Sequence, residues 1–231
     1  MKNYLEETKI YHDKLYKKLK YSFQRKFPNE DVIRFANQYL KESSNILDIG
    51  SGTGRNAIFL INQNHKVDCL DFSDVALNLL KKIYKKKNIS NSNKVINDNI
   101  PTMNKISSKY DAVIDCFTSY SLILEDFKSY IKNVSLRLKK GGVFHLQILS
   151  KNSDLFKKSY PAKIILKNSI NRIKRKSAPF YGDKYLFTFY NKKEILKILQ
   201  RIFKKIHIEI HSRTYRNGKE YFEYFILNCK K

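Results

Sequence analysis

Residues 46–60 read ILDIGSGTGRNAIFL, and no other stretch limits the fold as much. An apolar run closes on an acid, Asp48. Glycines follow at every second position, Gly50, Gly52 and Gly54, and a helical pattern begins behind them. Glycine admits positive φ and lets another group approach the backbone closely. The N-terminus of the helix that follows offers unpaired N–H groups. A strand turning through glycines into a helix is the opening of an α/β unit with a ligand at the turn.

The rest of the chain keeps this rhythm. Tyr4, Leu5, Tyr11, Leu15, Tyr16, Leu19 and Phe23 recur at helical spacing, Pro28 and Asn29 interrupt, and Asp31 reads as a second helix start. Strands are expected at Ile46–Ile49, Val67–Leu70, Lys94–Ile96, Tyr110–Phe117 and Val143–Leu149. Between them lie helices at Gly54–Asn62, from the Ser73 cap to about Lys87, and from Glu125 to Leu138, the last ended by Gly141-Gly142. Residues 150–190 break the alternation. A helix from Asn191 to Phe203 restores it, and two strands flank Asn217-Gly218, a hairpin signal because both turn positions need positive φ. Strands alternating with helices predict right-handed crossovers and a mostly parallel sheet covered on both faces.

What the glycine turn holds is decided by its flanks. A phosphate loop needs GxxxxGK[ST], and Arg55-Asn56 stand where no Lys-Ser pair exists. A dinucleotide site wants GxGxxG, whereas here the third glycine comes one position early. Asp48, two residues before the first glycine, repels a pyrophosphate and suits a cation. "LDIGSGTG" resembles motif I of the class I S-adenosylmethionine-dependent methyltransferases, and the likeness runs over about residues 45–150. It implies a Rossmann-like three-layer αβα fold, a seven-stranded, mostly parallel sheet of order 3-2-1-4-5-7-6 with a C-terminal antiparallel hairpin, and S-adenosyl-L-methionine as cofactor. The same likeness implies roles for single residues. Asp48 faces the amino-acid end of the cofactor. Gly50, Ser51, Gly52 and Gly54 approach its methionine and ribose parts, with Arg55 and Asn56 in the next turn. Asp71 accepts from the ribose hydroxyls. Phe72, Asp98, Asn99 and Ile100 surround the adenine. Cys116, Phe117 and Thr118 wall the methyl donor.

The acceptor is less legible. Open sheets bind ligands past the carboxyl ends of their strands, so Ser119, Tyr120, Gln147 and Ser150 are acceptor candidates. Tyr16 from the N-terminal helix, and Tyr181 and Asp183 from the 150–190 insertion, join them as residues of a cover. His12 and Tyr120 are the candidates for a catalytic base. Strand four ends DCFTSY, without the [DN]PP[YF] signature of base and amide methyltransferases, and no cysteine pair serves pyrimidine C5 chemistry. The expected organisation is one methyltransferase domain over 1–231, with 1–44 as a helical cap and 150–190 as an insertion over the acceptor pocket.

Composition bounds the partners. The net charge is +25, with 37 Lys against 9 Arg. A polyanionic partner and a surface filled through AT-rich codons both give this bias, and the shortage of arginine argues against bidentate phosphate reading. The basic run around Arg172, Lys174, Arg175 and Lys176 suits an anionic acceptor. A small-molecule acceptor is the first expectation, RNA the second, and a non-catalytic cofactor-binding regulator or scaffold the third. Cys69, Cys116 and Cys229 are widely separated, read as reduced core thiols, and have no metal-ligand spacing. The apolar runs are far below the roughly 18 residues needed to span a bilayer, and the N-terminus lacks a signal-peptide core. A cytoplasmic monomer or homodimer is expected.

Overall fold

The protein is described from a computed structural model, which covers residues 4–22, 26–157, 164–166, 169–170 and 186–231. Its main sheet has seven strands: β1 (Asn45–Ile49), β2 (Lys66–Asp71), β3 (Val95–Asn97), β4 (Tyr110–Cys116), β5 (Leu138–Leu149), β9 (Lys205–Tyr215) and β10 (Glu220–Lys230), in the order β3-β2-β1-β4-β5-β10-β9. The first five run parallel, and β10 lies antiparallel to both β5 and β9. The last strand in sequence thus slots between the fifth and the sixth, as expected.

Strand periodicity sends alternate side chains to opposite faces. Ile46, Ala112 and Ile114 enter one core with Val32 and Phe35 of α2 (Glu30–Tyr39), Ala57 and Leu60 of α3 (Arg55–Asn62), and Leu77 and Leu80 of α4 (Asp74–Lys86). Leu47, Ile49 and Val113 enter the other with Phe127, Tyr130 and Ile131 of α5 (Leu124–Arg137), and Ile195 and Leu199 of α7 (Lys192–Leu199). Each such side chain taken fully from water contributes about 1.5–3 kcal/mol, so both faces stabilise the sheet. The helix starts are capped as their sequences suggest. Asn29 Oδ1 accepts from Asp31 N (2.8 Å), Ser73 Oγ from Ala76 N (3.1 Å), and Asn191 forms a reciprocal box with Glu194.

Two turns differ from expectation. Gly141-Gly142 do not end α5. That helix stops at Arg137 and the chain enters β5 at once, with the glycines inside the strand's span. Tyr110 pairs with Leu138 but Ala112 with Val143, so residues 139–142 bulge outward. Gly141 takes φ +78°, and a Cβ on Gly142 would stand 3.0 Å from the Asp111 carbonyl. The glycines therefore make a bulge, which propensity cannot tell from a helix stop. In the final hairpin Tyr215 pairs with Glu220, leaving a four-residue loop. Arg216, Asn217 and Gly218 all have positive φ (52°, 54° and 82°), so the left-handed stretch is one residue longer than a two-residue turn requires.

Residues 150–190 begin with the short helix α6 (Asp154–Lys157) and supply a small antiparallel sheet of β6 (Ile164–Leu166), β7 (Ser169–Ile170) and β8 (Phe187–Thr188). Tyr190 closes the base of this segment: its N–H donates to Leu149 O (3.0 Å) and its carbonyl accepts from Lys151 N (2.9 Å). Tyr181 and Asp183, and the basic residues Arg172, Lys174, Arg175 and Lys176, lie outside the described residues. No helix among the described residues is long and apolar enough to cross a membrane.

Candidate active site

The carboxyl ends of β1, β2, β3 and β4 lie side by side. Ile49 pairs with both Leu70 and Asp115, and Asp71 with Asn97. The residues predicted for the cofactor converge on this rim, and the glycine turn is its centre. Gly50, Gly52 and Gly54 take φ of +66°, +55° and +80°. Gly50 N donates to Leu70 O (2.7 Å), and Gly52 N to Asp71 Oδ2 (2.8 Å). A Cβ on Gly50 would fall 2.0 Å from Thr118 Oγ1, and one on Gly54 would fall 2.3 Å from Leu80 Cδ1. At these two positions the room for a side chain is filled by the protein itself. The glycines are needed for backbone shape and for packing against β4 and α4.

Two carboxylates frame the turn. Asp71 is buried; its Oδ1 accepts from Ser73 N (2.9 Å) and its Oδ2 from Gly52 N. It therefore ties the end of β2 to the glycine turn while one edge of each oxygen remains for a further donor. Burial pushes its carboxyl up to about 6, against the lowering effect of those N–H bonds. Asp48 is also buried, and its Oδ2 has no hydrogen-bond partner among the described residues. Burial pushes it up to about 7, although the half-buried Arg55 guanidinium opposes the shift. A buried acceptor without a donor is costly, and a cationic ligand group beside Asp48 would relieve that cost. Two buried acids beside the glycine turn fit a ligand with an ammonium or sulfonium charge and vicinal hydroxyls.

The other predicted cofactor residues divide in two. Ser51, Phe72, Cys116 and Phe117 stand on the rim, and Phe117 holds an unusual φ of +56° where β4 ends. Asp98 spends its carboxylate on a turn, with Oδ1 accepting from Asn99 N (2.7 Å) and Oδ2 from Lys105 N (2.6 Å). Asn99 is exposed, and Ile100 is buried in the core. Asn56 turns its Oδ1 to Asn29 N (2.9 Å), toward α2 and away from the turn.

Helix α1 (Tyr4–Leu19) lies across this rim. Tyr4 OH donates to Asp126 at the start of α5, Lys9 pairs with Asp74 (3.1 Å), and Ser73 Oγ donates to Asp13. The His12 ring is 6.0 Å from that of Phe72. His12 Nδ1 lies 2.8 Å from Thr8 O and so carries the hydrogen of that bond; burial lowers its pKa, leaving the imidazole neutral at pH 7. Tyr16 is buried, and desolvation with the nearby Asp71 charge holds its phenol well above the ordinary range.

The acceptor candidates are committed to protein contacts. The Tyr120 ring stacks on Phe187 (5.2 Å, 19°). Gln147 is fully buried, donating to Asp31 Oδ2 (2.7 Å) and Asn29 Oδ1 (3.2 Å) and accepting from Asn29 Nδ2 (3.0 Å). Ser119 N donates to Asp115, and Ser150 Oγ to Glu223. Sequence reading missed Asp13, Asn29, Asp31 and Asn97. Asn29 carried a signal, an N-cap asparagine ahead of Glu30-Asp31, but its pairing with Gln147 spans 118 residues and is visible only in the fold. No group of three or more metal-ligating side chains occurs among the described residues, and all three cysteines are free.

A family model described as a methyltransferase domain matches residues 46–142. Among solved structures, a SAM-dependent methyltransferase from Methanosarcina mazei is 20% identical and superposes with a TM-score of 0.68 over 89% of this chain and 99% of that one. An S-adenosylmethionine-dependent methyltransferase from Clostridium acetobutylicum is 19% identical, with a TM-score of 0.64 over 92% and 95%. The 1,6-didemethyltoxoflavin-N1-methyltransferase of Burkholderia thailandensis, solved with 1,6-didemethyltoxoflavin and S-adenosylhomocysteine bound, is 12% identical, with a TM-score of 0.66 over 98% and 88%. At these identities the likeness concerns the fold. No curated protein matches the sequence.

Proposed function

We propose that this chain, whose residues 46–142 match a methyltransferase-domain model, moves a methyl group from S-adenosylmethionine to a small-molecule acceptor. The observation that carries the reading is Asp48, a buried carboxylate at the foot of the glycine turn with one oxygen unsatisfied. S-adenosylmethionine supplies the activated methyl group. Asp48 neutralises the positive charge of the methionine end, and Asp71 takes the ribose hydroxyls on the lone pairs that Gly52 N and Ser73 N leave open. Such charge-assisted bonds are stronger than neutral ones. Phe72, Ser51 and Phe117 complete the rim, while Asp98 acts through the turn it holds.

The acceptor enters beneath α1, between the Tyr4–Asp126 and Asp13–Ser73 ties, and that cover favours a compact molecule. Alignment against the methyl group supplies most of the rate. His12, neutral and with its tautomer fixed by Thr8, is the group suited to take a proton if the acceptor loses one. Phe187 stacks on Tyr120 and closes the same end of the site, and the whole chain acts as one domain. A methyl-release assay over metabolite pools, reading the homocysteine moiety formed, tests this. Turnover on a small acceptor supports the proposal, whereas cofactor binding without turnover on any pool favours a regulatory subunit.

A further inference from the structure

A second concavity lies away from the glycine turn, on the open edge of the sheet. It encloses about 830 Å³ between β3 and the second half of α4. Lys81, Lys85, Lys94 and Lys105 line it, and no carboxylate is among its lining residues. From 81 to 109 the chain carries eight lysines and a single acid, Asp98. Both Asp98 oxygens are spent on backbone N–H groups. Lys81, Lys85 and Lys94 are exposed and form no ion pair with a described residue, whereas Lys105 Nζ bonds Asn97 O (2.7 Å). A surface enriched in lysine by codon usage alone would mix the two signs. Here one sign gathers around one groove, and gathered like charges repel unless an anion sits among them.

We propose that this groove binds the phosphate backbone of single-stranded RNA. Ile89, Val95 and Ile96 line it as partly exposed apolar surface on which unstacked bases and sugars rest, while the lysines meet phosphates as point charges. Asn93 and Asn97 spend their amide groups on Val67 N, Ser90 O and Phe72 O, so they shape the groove and leave anion binding to the lysines. A concave cleft takes a flexible strand and excludes a stiff duplex. β3, which lines the groove, ends at Asn97, whose amide donates to Phe72 O on the rim (3.1 Å). This goes beyond the methyl-transfer reading and does not depend on it.

The test is anisotropy of a short labelled single-stranded RNA over a salt titration, using the full chain. Four phosphate contacts give a log–log slope of about −3. The triple variant K81Q/K85Q/K94Q is expected to flatten the slope by about 2 and weaken binding about 100-fold at 0.1 M salt. The charge-matched triple K192Q/K193Q/K197Q on α7 should bind as the unmodified chain does. Equal loss in both triples would show a diffuse effect of net charge and overturn the proposal, as would duplex binding as tight as that of the single strand. Both triples change exposed lysines outside the glycine turn, so an unchanged far-UV circular dichroism spectrum marks them as folded. Failure of methyl transfer in the unmodified chain would count against the preceding reading and leave the groove untouched.

Discussion

The two halves of the rim are built on different logic. On the β1–β2 side, Asp48, the glycines and Asp71 sit within 24 positions of sequence (48–71), and their relation is fixed by one strand–turn–helix–strand unit. On the β4–β5 side, the groups at the strand ends are held by partners far away: Gln147 by Asn29 and Asp31, and Ser150 by Glu223. A binding turn can be specified locally because backbone conformation does most of the work. A pocket for a particular acceptor is assembled from long-range contacts, and those vary without disturbing the turn.

The largest expected effect lies in the local half. Asp71→Ala should weaken S-adenosylmethionine about 100-fold by calorimetry, since it removes a charged acceptor of two hydroxyls. Unchanged affinity in a folded variant would break the contrast between the halves. Gly50→Ala should come next, costing about 3 kcal/mol in denaturant melts, because its Cβ would overlap Thr118 at positive φ; a cost below about 1 kcal/mol would mean that Thr118 can move away. Asn29→Ala, in the long-range half, should cost about 1–2 kcal/mol through the lost cap and the stranded Gln147 amide, with cofactor affinity little changed.

Asp48→Asn carries a sign that separates stability from function. Burial pushes the folded carboxyl up to about 7, against an ordinary value of 3.8. Between those pH values the folded chain keeps a proton that the unfolded chain has released, so stability from this group falls as pH rises through the window and is flat above it. The variant should therefore raise the Tm of the cofactor-free protein at pH 7.5 by about 5 °C while weakening S-adenosylmethionine. A Tm that falls, or does not change with this substitution, would contradict the buried, unsatisfied state of Asp48.

The same contrast explains what could be read from the sequence. The glycine turn, the Ser73 cap and the placing of Asp48 and Asp71 at strand ends follow from local spacing, whereas the strand order follows from the resemblance to the methyltransferase family. The 139–142 bulge did not, because a Gly-Gly pair after a helical pattern carries the same local signal whether it stops a helix or bends a strand. Nor did the occupation of Gly50's side-chain space by Thr118, 68 positions on, or the turning of Asn56 toward Asn29. Tyr120 follows strand four and Gln147 stands near the end of strand five, which is what the sequence shows of them. Their stacking and amide pairing depend on which distant residues arrive there.

The central claim, a cationic cofactor beside Asp48, is tested most directly by calorimetric titration of S-adenosylmethionine near pH 7 in two buffers of different ionisation enthalpy. A positive charge beside the half-protonated carboxyl should expel its proton, so binding should release about half a proton, and Asp48→Asn should abolish that release. Absence of binding, or binding with no buffer dependence in the unmodified chain, would contradict the account.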